Sequence, residues 1–246
     1  MPAMTSLSNP DAFKETQKKF PRVQAAYAEQ ESNMHQLLQK HGLVVKGLQL
    51  YLQAFKSEQV LELWARNASD APFQLIKTFP ICANSGTTGP KRKEGDKQVP
   101  EGFYHINRFN PLSKFHLSVG LNYPNPSDLI LGDPENPGSD IFIHGGCTTV
   151  GCLPITDAWM QALYLFCIES KNAGHEIPVT IFPARLTDEN HTELIATHQA
   201  QPAWLNLWAG LKKSHDLFQL HRQPPLIRFL KNGEHQISVL PKSQKK

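Results

Sequence analysis

The chain has few cysteines, little excess charge and no long apolar run, and each shortage excludes something. Nowhere do about 18 apolar residues follow one another, the length that a membrane-crossing helix requires. The start, Met1-Pro2-Ala3-Met4-Thr5-Ser6-Leu7, lacks the charged-then-apolar order of a signal peptide, so by itself the chain reads as cytosolic. Its net charge of +3 arises from 25 Lys and Arg against 22 Asp and Glu, dispersed over 246 residues. No RNA-binding or zinc-finger motif accompanies them, and nucleic acid is not an expected partner. The basic end Lys242-Ser243-Gln244-Lys245-Lys246 reads as a solvated tail. Internal repeats and low-complexity linkers are absent too.

The four cysteines are Cys82, Cys147, Cys152 and Cys167. They permit two disulfides at most in an oxidising compartment, and none is expected. Cys167 falls in the apolar run Trp159-Met160-Gln161-Ala162-Leu163-Tyr164-Leu165-Phe166 and reads as an inert buried thiol. Cys82 follows the strand-like Leu75 to Ile81 and reads as core. Cys147 shares a loop with Cys152, and a bond between those two would silence a nucleophile there.

What is present is enough apolar sequence, 40%, for one sizeable core. Residues 11–41 carry Phe13, Phe20, Val23, Tyr27, Met34, Leu37 and Leu38 near helical spacing, with Pro21 suited to a first turn and Gly42 to a stop. This predicts an amphipathic helix packed on the rest. Leu48 to Gln53 and Val60 to Ala65 alternate as half-buried strands joined at Lys56-Ser57-Glu58, and further strands are predicted at 73–81, 102–109, 115–121, 140–144 and 177–182. Helices are predicted from a Thr156 cap to about Lys171, with Gly174 beyond its end, and at 188–198 and 203–221. Asn232-Gly233 marks a hairpin turn between 227–230 and 236–239. The fold class is therefore α+β, a mainly β sheet with flanking helices. The chain reads as an N-terminal helical segment (1–42), a main catalytic domain (43–223) and a C-terminal hairpin with its basic tail (224–246), with Pro224-Pro225 starting the hairpin as part of the same fold.

Chemistry is concentrated in Ile143-His144-Gly145-Gly146-Cys147-Thr148-Thr149-Val150-Gly151-Cys152. His144 closes a hydrophobic strand, a loop of small residues follows, and Gly151 directly precedes a thiol. An imidazole within reach of a thiol activates it as a nucleophile, and bare backbone beside it leaves room for a substrate carbonyl. The N–H groups of Gly151 and Cys152 are the candidate donors to the oxyanion that forms. Asp157 competes for the task of orienting His144, but its position at a helix start favours a cap-region role.

His-Gly, a short loop and then Gly-Cys resemble the catalytic core of the YkuD-type L,D-transpeptidases. Lys77-Thr78-Phe79-Pro80-Ile81-Cys82-Ala83-Asn84-Ser85-Gly86 and the stretch Gly89 to Tyr104, including Val99-Pro100-Glu101-Gly102-Phe103, are similar to the YafK-like branch of that family, as are Arg108-Phe109-Asn110-Pro111 and Gly120-Leu121-Asn122-Tyr123-Pro124. The likeness spans about residues 45 to 185. It implies an L,D-transpeptidase-like catalytic sheet in an enzyme that needs no cofactor or metal and works through a Cys152 thioester on the diaminopimelate-containing stem peptides of peptidoglycan. It further implies that the carbonyl of Gly145, in place of a carboxylate, orients His144.

Many relatives read Ser/Thr-His-Gly-Cys with an arginine two residues later, whereas here Val150-Gly151-Cys152-Leu153-Pro154 lacks both the histidine and the arginine. That departure favours hydrolysis over cross-linking, and the branch includes an amidase that releases a peptidoglycan-linked lipoprotein, a second implied partner. Action on peptidoglycan implies a periplasmic or otherwise exported protein whose signal peptide is missing from this sequence. Stem peptides carry carboxylates, so Lys91, Arg92, Lys93 and Lys97 are candidate anchors, with Lys91, Arg92, Ser85 and Thr149 the substrate-binding set. Three alternatives stand beside this: a cross-linking or protein-attaching transpeptidase, a non-catalytic peptidoglycan-binding module, and a metal site of His144, Cys147 and Cys152.

Overall fold

A computed structural model describes residues 11–239, so Met1 to Leu7 and the basic tail from Lys242 lie outside the described residues. The first two strands set the architecture: β1 (Gln49–Phe55) and β2 (Val60–Arg66) pair antiparallel through the turn at Lys56, with Phe55 opposite Val60. With β3 (Gln74–Pro80), β4 (Gly102–Asn110), β5 (Ser118–Leu121), β6 (Phe142–His144), β7 (Leu153–Pro154) and β8 (Pro178–Phe182) they form one mixed sheet in the order β3-β2-β1-β8-β4-β5-β6-β7.

Helix α1 (Ala12–Gln17), helix α2 (Pro21–Lys40) and helix α4 (Asp157–Asn172) cover one face of the sheet. Leu50, Leu52 and Ala54 of β1 join Leu61, Leu63 and Ala65 of β2 in the core on that side, against Leu38 and the apolar face of α4. The predicted single N-terminal helix is interrupted at Lys18–Phe20. Pro21 holds Phe20 extended (φ −89°, ψ 129°), which makes it the start of a new helix instead of the middle of one.

The expectation that β1 and β2 are half-buried is overturned. Helix α6 (Pro202–His221) lies across their other face, where Phe218 packs edge-on to Tyr51 and Trp64 at ring separations of 5.0 and 4.9 Å. Gln53 and Glu62, polar positions of the alternation, are buried as well, and Glu62 is satisfied by Trp64 Nε1 and Arg185 Nη2. Helix α5 (Asp188–Thr197) precedes α6, and the hairpin of β9 (Leu226–Phe229) and β10 (His235–Ser238) turns at Gly233 and sends Ile237 into the core beneath α6.

Two elements had not been predicted. Helix α3 (Pro126–Leu131) starts with a capping box, Asn125 bonding the N–H of Asp128 and Asp128 bonding that of Asn125. The short β7 depends on its partner β6 and has no strand signal of its own. The strand predicted at 115–121 begins only at Ser118, because His116 adopts φ +66°.

Candidate active site

Strand β6 delivers His144 and then the chain leaves the sheet. After eight intervening residues it returns as β7, running parallel to β6 with Ile143 beside Leu153 and His144 beside Pro154. Side chains alternate along a strand, so Cys152, just before β7, falls on the same face of the sheet as Phe142 and His144. The intervening loop fits because Gly145 carries no side chain: a Cβ there would lie 2.5 Å from Asp157 Oδ1.

His144 is 3% exposed, with the Phe115 ring 4.6 Å from its own. Its Nδ1 is 2.6 Å from the Gly145 carbonyl oxygen. A carbonyl only accepts, so Nδ1 carries the ring proton and Nε2 keeps its lone pair. Desolvation by burial holds this imidazole below its usual 6.5, with the Gly145 bond opposing. Asp157 is occupied elsewhere, accepting the Gly146 N–H at 2.8 Å, and so orients the loop.

Cys152 is a free, half-buried thiol. Its sulfur receives the Phe142 N–H at 3.4 Å and faces the Asp140 carbonyl at 3.7 Å. Burial pushes the thiol above the ordinary 9.0, Asp140 adds to this, and the Phe142 N–H and the Lys91 charge offset only part of it. At neutral pH the pair is thus imidazole and thiol, not an ion pair. The thiol forms one wall of a cleft of about 280 Å³, together with Lys56, Ser85, Thr87, Thr88 and Val99.

The structure corrects several sequence expectations. Cys82 and Cys147 form a disulfide across 65 residues, although no disulfide was expected and Cys82 was assigned to the core. The bridge fastens the end of β3 to the His144–Cys152 loop. It removes Cys147 as a partner for Cys152 and as a metal ligand, since a disulfide sulfur is no thiolate. Cys167 is fully buried and unpaired, as predicted.

Lys91 and Arg92 are not free anchors. Lys91 is 5% exposed and bonds Asp96 Oδ1 and the Lys93 carbonyl, both at 2.8 Å. Arg92 reaches Asp128 at 3.3 Å, whose carboxyl burial pushes up to about 6. Lys93 and Lys97 are exposed.

Both backbone donors proposed for the oxyanion are engaged. Gly151 N–H bonds Ser85 Oγ at 2.6 Å, and Cys152 N–H bonds Thr149 Oγ1 at 3.0 Å. Thr149 Oγ1 is thereby tied to both the N–H and the carbonyl of Cys152.

Sequence reasoning missed Lys56. Its ammonium sits in the cleft wall and gives one bond each to the carbonyls of Gly89 and Val99 and to Glu101 Oε1. Glu101, fully buried, also accepts from Gly89 N–H and from Trp208 Nε1 at 2.7 Å. The only signal was a charged residue at the β1–β2 turn, which reads as solvated until its partners are known.

A profile of the YkuD family, the L,D-transpeptidase catalytic domain, matches residues 49–181. The chain is 31% identical over 195 residues to YafK of Escherichia coli (strain K12), covering 78% of this chain and 75% of that protein. Among solved structures it is similar to the helical cell shape determining protein Pgp2 of Campylobacter jejuni, at 17% identity, TM-score 0.46 and coverage of 75% and 73%. Bd1075 of Bdellovibrio bacteriovorus matches at 18% identity, TM-score 0.42 and coverage of 73% and 76%.

Proposed function

This chain belongs to the YkuD family of L,D-transpeptidase catalytic domains, and from that premise we propose that it is a cysteine acyl-transfer enzyme that hydrolyses bonds to the stem peptides of peptidoglycan. The observation that carries the reading is a free thiol on the cleft wall, on the same sheet face as a buried imidazole with an unprotonated Nε2.

Cys152 attacks the carbonyl carbon of an amide at the diaminopimelate centre. A C–S bond forms, the carbonyl π pair moves to oxygen, and the thiol proton passes to Nε2 of His144. Collapse breaks the C–N bond, and the imidazolium returns its proton to the leaving amine. Water then attacks the thioester with His144 taking its proton, and the carboxylate product leaves Cys152 as the thiol. The Gly145 carbonyl, which accepts from Nδ1, stabilises the imidazolium formed between these steps. No metal or cofactor is required.

Hydrolysis is favoured over cross-linking by Val150 and Pro154, which occupy positions where cross-linking relatives carry a histidine and an arginine. Val150 is 70% exposed and offers no side-chain hydrogen bond to an acceptor amine. A thioester with a poorly held acceptor is left to water. A peptidoglycan-linked lipoprotein is the substrate we assign. Export is supported by the Cys82–Cys147 disulfide, a bond that persists in oxidising compartments. Among the described residues no helix is long and apolar enough to cross a membrane.

The test is a competition. Purified protein receives a lipoprotein-linked muropeptide with excess acceptor stem peptide, and the products are read by mass spectrometry. Free lipoprotein fragment without coupled product is expected. A dominant cross-linked dimer would instead make it a transpeptidase.

A further inference from the structure

The backbone N–H groups of Gly151 and Cys152 do not face the cleft unaided, because each is capped by a hydroxyl. The two caps differ. Thr149 Oγ1 accepts from Cys152 N–H and donates its single proton to the Cys152 carbonyl, both at 3.0 Å, so it has nothing left to give. Ser85 Oγ accepts from Gly151 N–H at 2.6 Å, and its proton has no acceptor among the described residues. Ser85 and Cys152 line the same cleft.

We propose that Ser85 is a catalytic residue whose hydroxyl donates the hydrogen bond that stabilises the oxyanion. This rests on the acyl-transfer reading above. The Gly151 amide acts one atom removed, by polarising the hydroxyl that accepts from it; donors in such a chain strengthen one another. As the carbonyl π pair moves to oxygen, the new O⁻ accepts from Ser85 Oγ–H, with no net proton transfer.

The surroundings hold Ser85 to this position. Gln98 accepts the Thr87 N–H at 3.0 Å and donates to Thr87 Oγ1 at 3.2 Å, which clamps the Ser85–Thr87 segment. Gly86 adopts φ +73°, and a Cβ there would meet the Gln98 side chain at 2.4 Å. On the other loop Gly151, at φ +87°, leaves 3.2 Å between a hypothetical Cβ and the Gln98 carbonyl. Gln98 therefore touches both loops, and the Cys82–Cys147 bond joins the same two loops. A donor fixed in place before reaction costs no reorganisation when charge develops.

The experiment compares two reactions of the Cys152 thiol in the full chain. Acylation by p-nitrophenyl acetate passes through an oxyanion, whereas alkylation by iodoacetamide does not. Ser85→Ala is expected to slow the acylation burst on the order of 100-fold or more while alkylation changes by less than about twofold, and Ser85→Thr is expected to recover most of the burst. Thermal melts of each variant establish that it is folded, and the Thr variant keeps the comparison if Ala is not. If the burst is unchanged or faster in Ser85→Ala, the hydroxyl only shields the Gly151 amide. If alkylation slows in parallel, Ser85 acts on the thiol; either result overturns the proposal. Because the ester probe needs no muropeptide, failure of wild-type protein to turn over peptidoglycan fragments tells against the proposed function separately.

Discussion

The Nδ1 of His144 lies 2.6 Å from the carbonyl oxygen of the next residue, Gly145. The bond fixes the tautomer and points the basic Nε2 away from the loop. Burial holds the imidazole below its usual 6.5 and the thiol above its usual 9.0, so both shifts favour the neutral pair near pH 7.

The pH dependence follows from that pair. Acylation requires unprotonated His144, so the rate is expected to fall on the acid side with a midpoint below 6.5, the direction of the shift. His144→Ala should lose about 100-fold or more in acylation and lose that acid limb with it. Stopped-flow acylation measured from acid to neutral pH checks both. An acid limb retained by His144→Ala would show that another group is the base.

Cys152→Ala should abolish turnover and leave the fold intact. The sulfur's contacts are a long bond from Phe142 N–H and one to the Asp140 carbonyl. Replacing it is expected to cost no more than about 1–2 kcal/mol. Substrate turnover and thermal melting of the same preparation separate the two effects, and residual activity in a folded variant would remove Cys152 from the mechanism.

Cys147→Ser opens the 65-residue separation closed by the disulfide. In the chain-entropy account this costs about 4 kcal/mol of stability. Turnover should also fall, because the loop between His144 and Cys152 loses its tie to the end of β3. Urea denaturation and activity with and without reductant test this. Reductant should lower the denaturation midpoint of Cys152→Ala by a similar amount and leave Cys147→Ser unmoved.

Glu101→Ala removes the acceptor shared by Lys56, Gly89 and Trp208 and leaves the Lys56 cation, whose side chain is 11% exposed, without its counter-charge. A loss of about 3–5 kcal/mol is expected. Lys56→Met combined with Glu101→Gln should be less damaging than Glu101→Ala, since no unpaired charge remains. Equilibrium denaturation of the variants decides it.

Much of the frame was legible in the chain because its causes are local. Strand periodicity, the Asn232-Gly233 turn, the Thr156 helix start and the Pro21 helix start each depend on a few adjacent residues. Helix α3 was equally legible: Asn125-Pro126-Ser127-Asp128 has the cap, the first-turn proline and the reciprocal carboxylate, and the signal was overlooked. The His144 and Cys152 pair could be picked out because a strand end and a Gly-Cys turn lie close together in sequence.

The sequence by itself determined which segments are strands and helices and which thiol is flanked by small residues. Only the tertiary structure decided what each polar group meets. Lys91 and Arg92 look like free cations until Asp96 and Asp128 come to them, and Cys82 looks like core until Cys147 arrives from 65 residues away. Ser85 acquires its proposed role only when the loop before Cys152 places the Gly151 amide on its oxygen. Backbone preference acts over a few residues, whereas a hydrogen bond or disulfide is set by which segments the core brings within about 3 Å of each other.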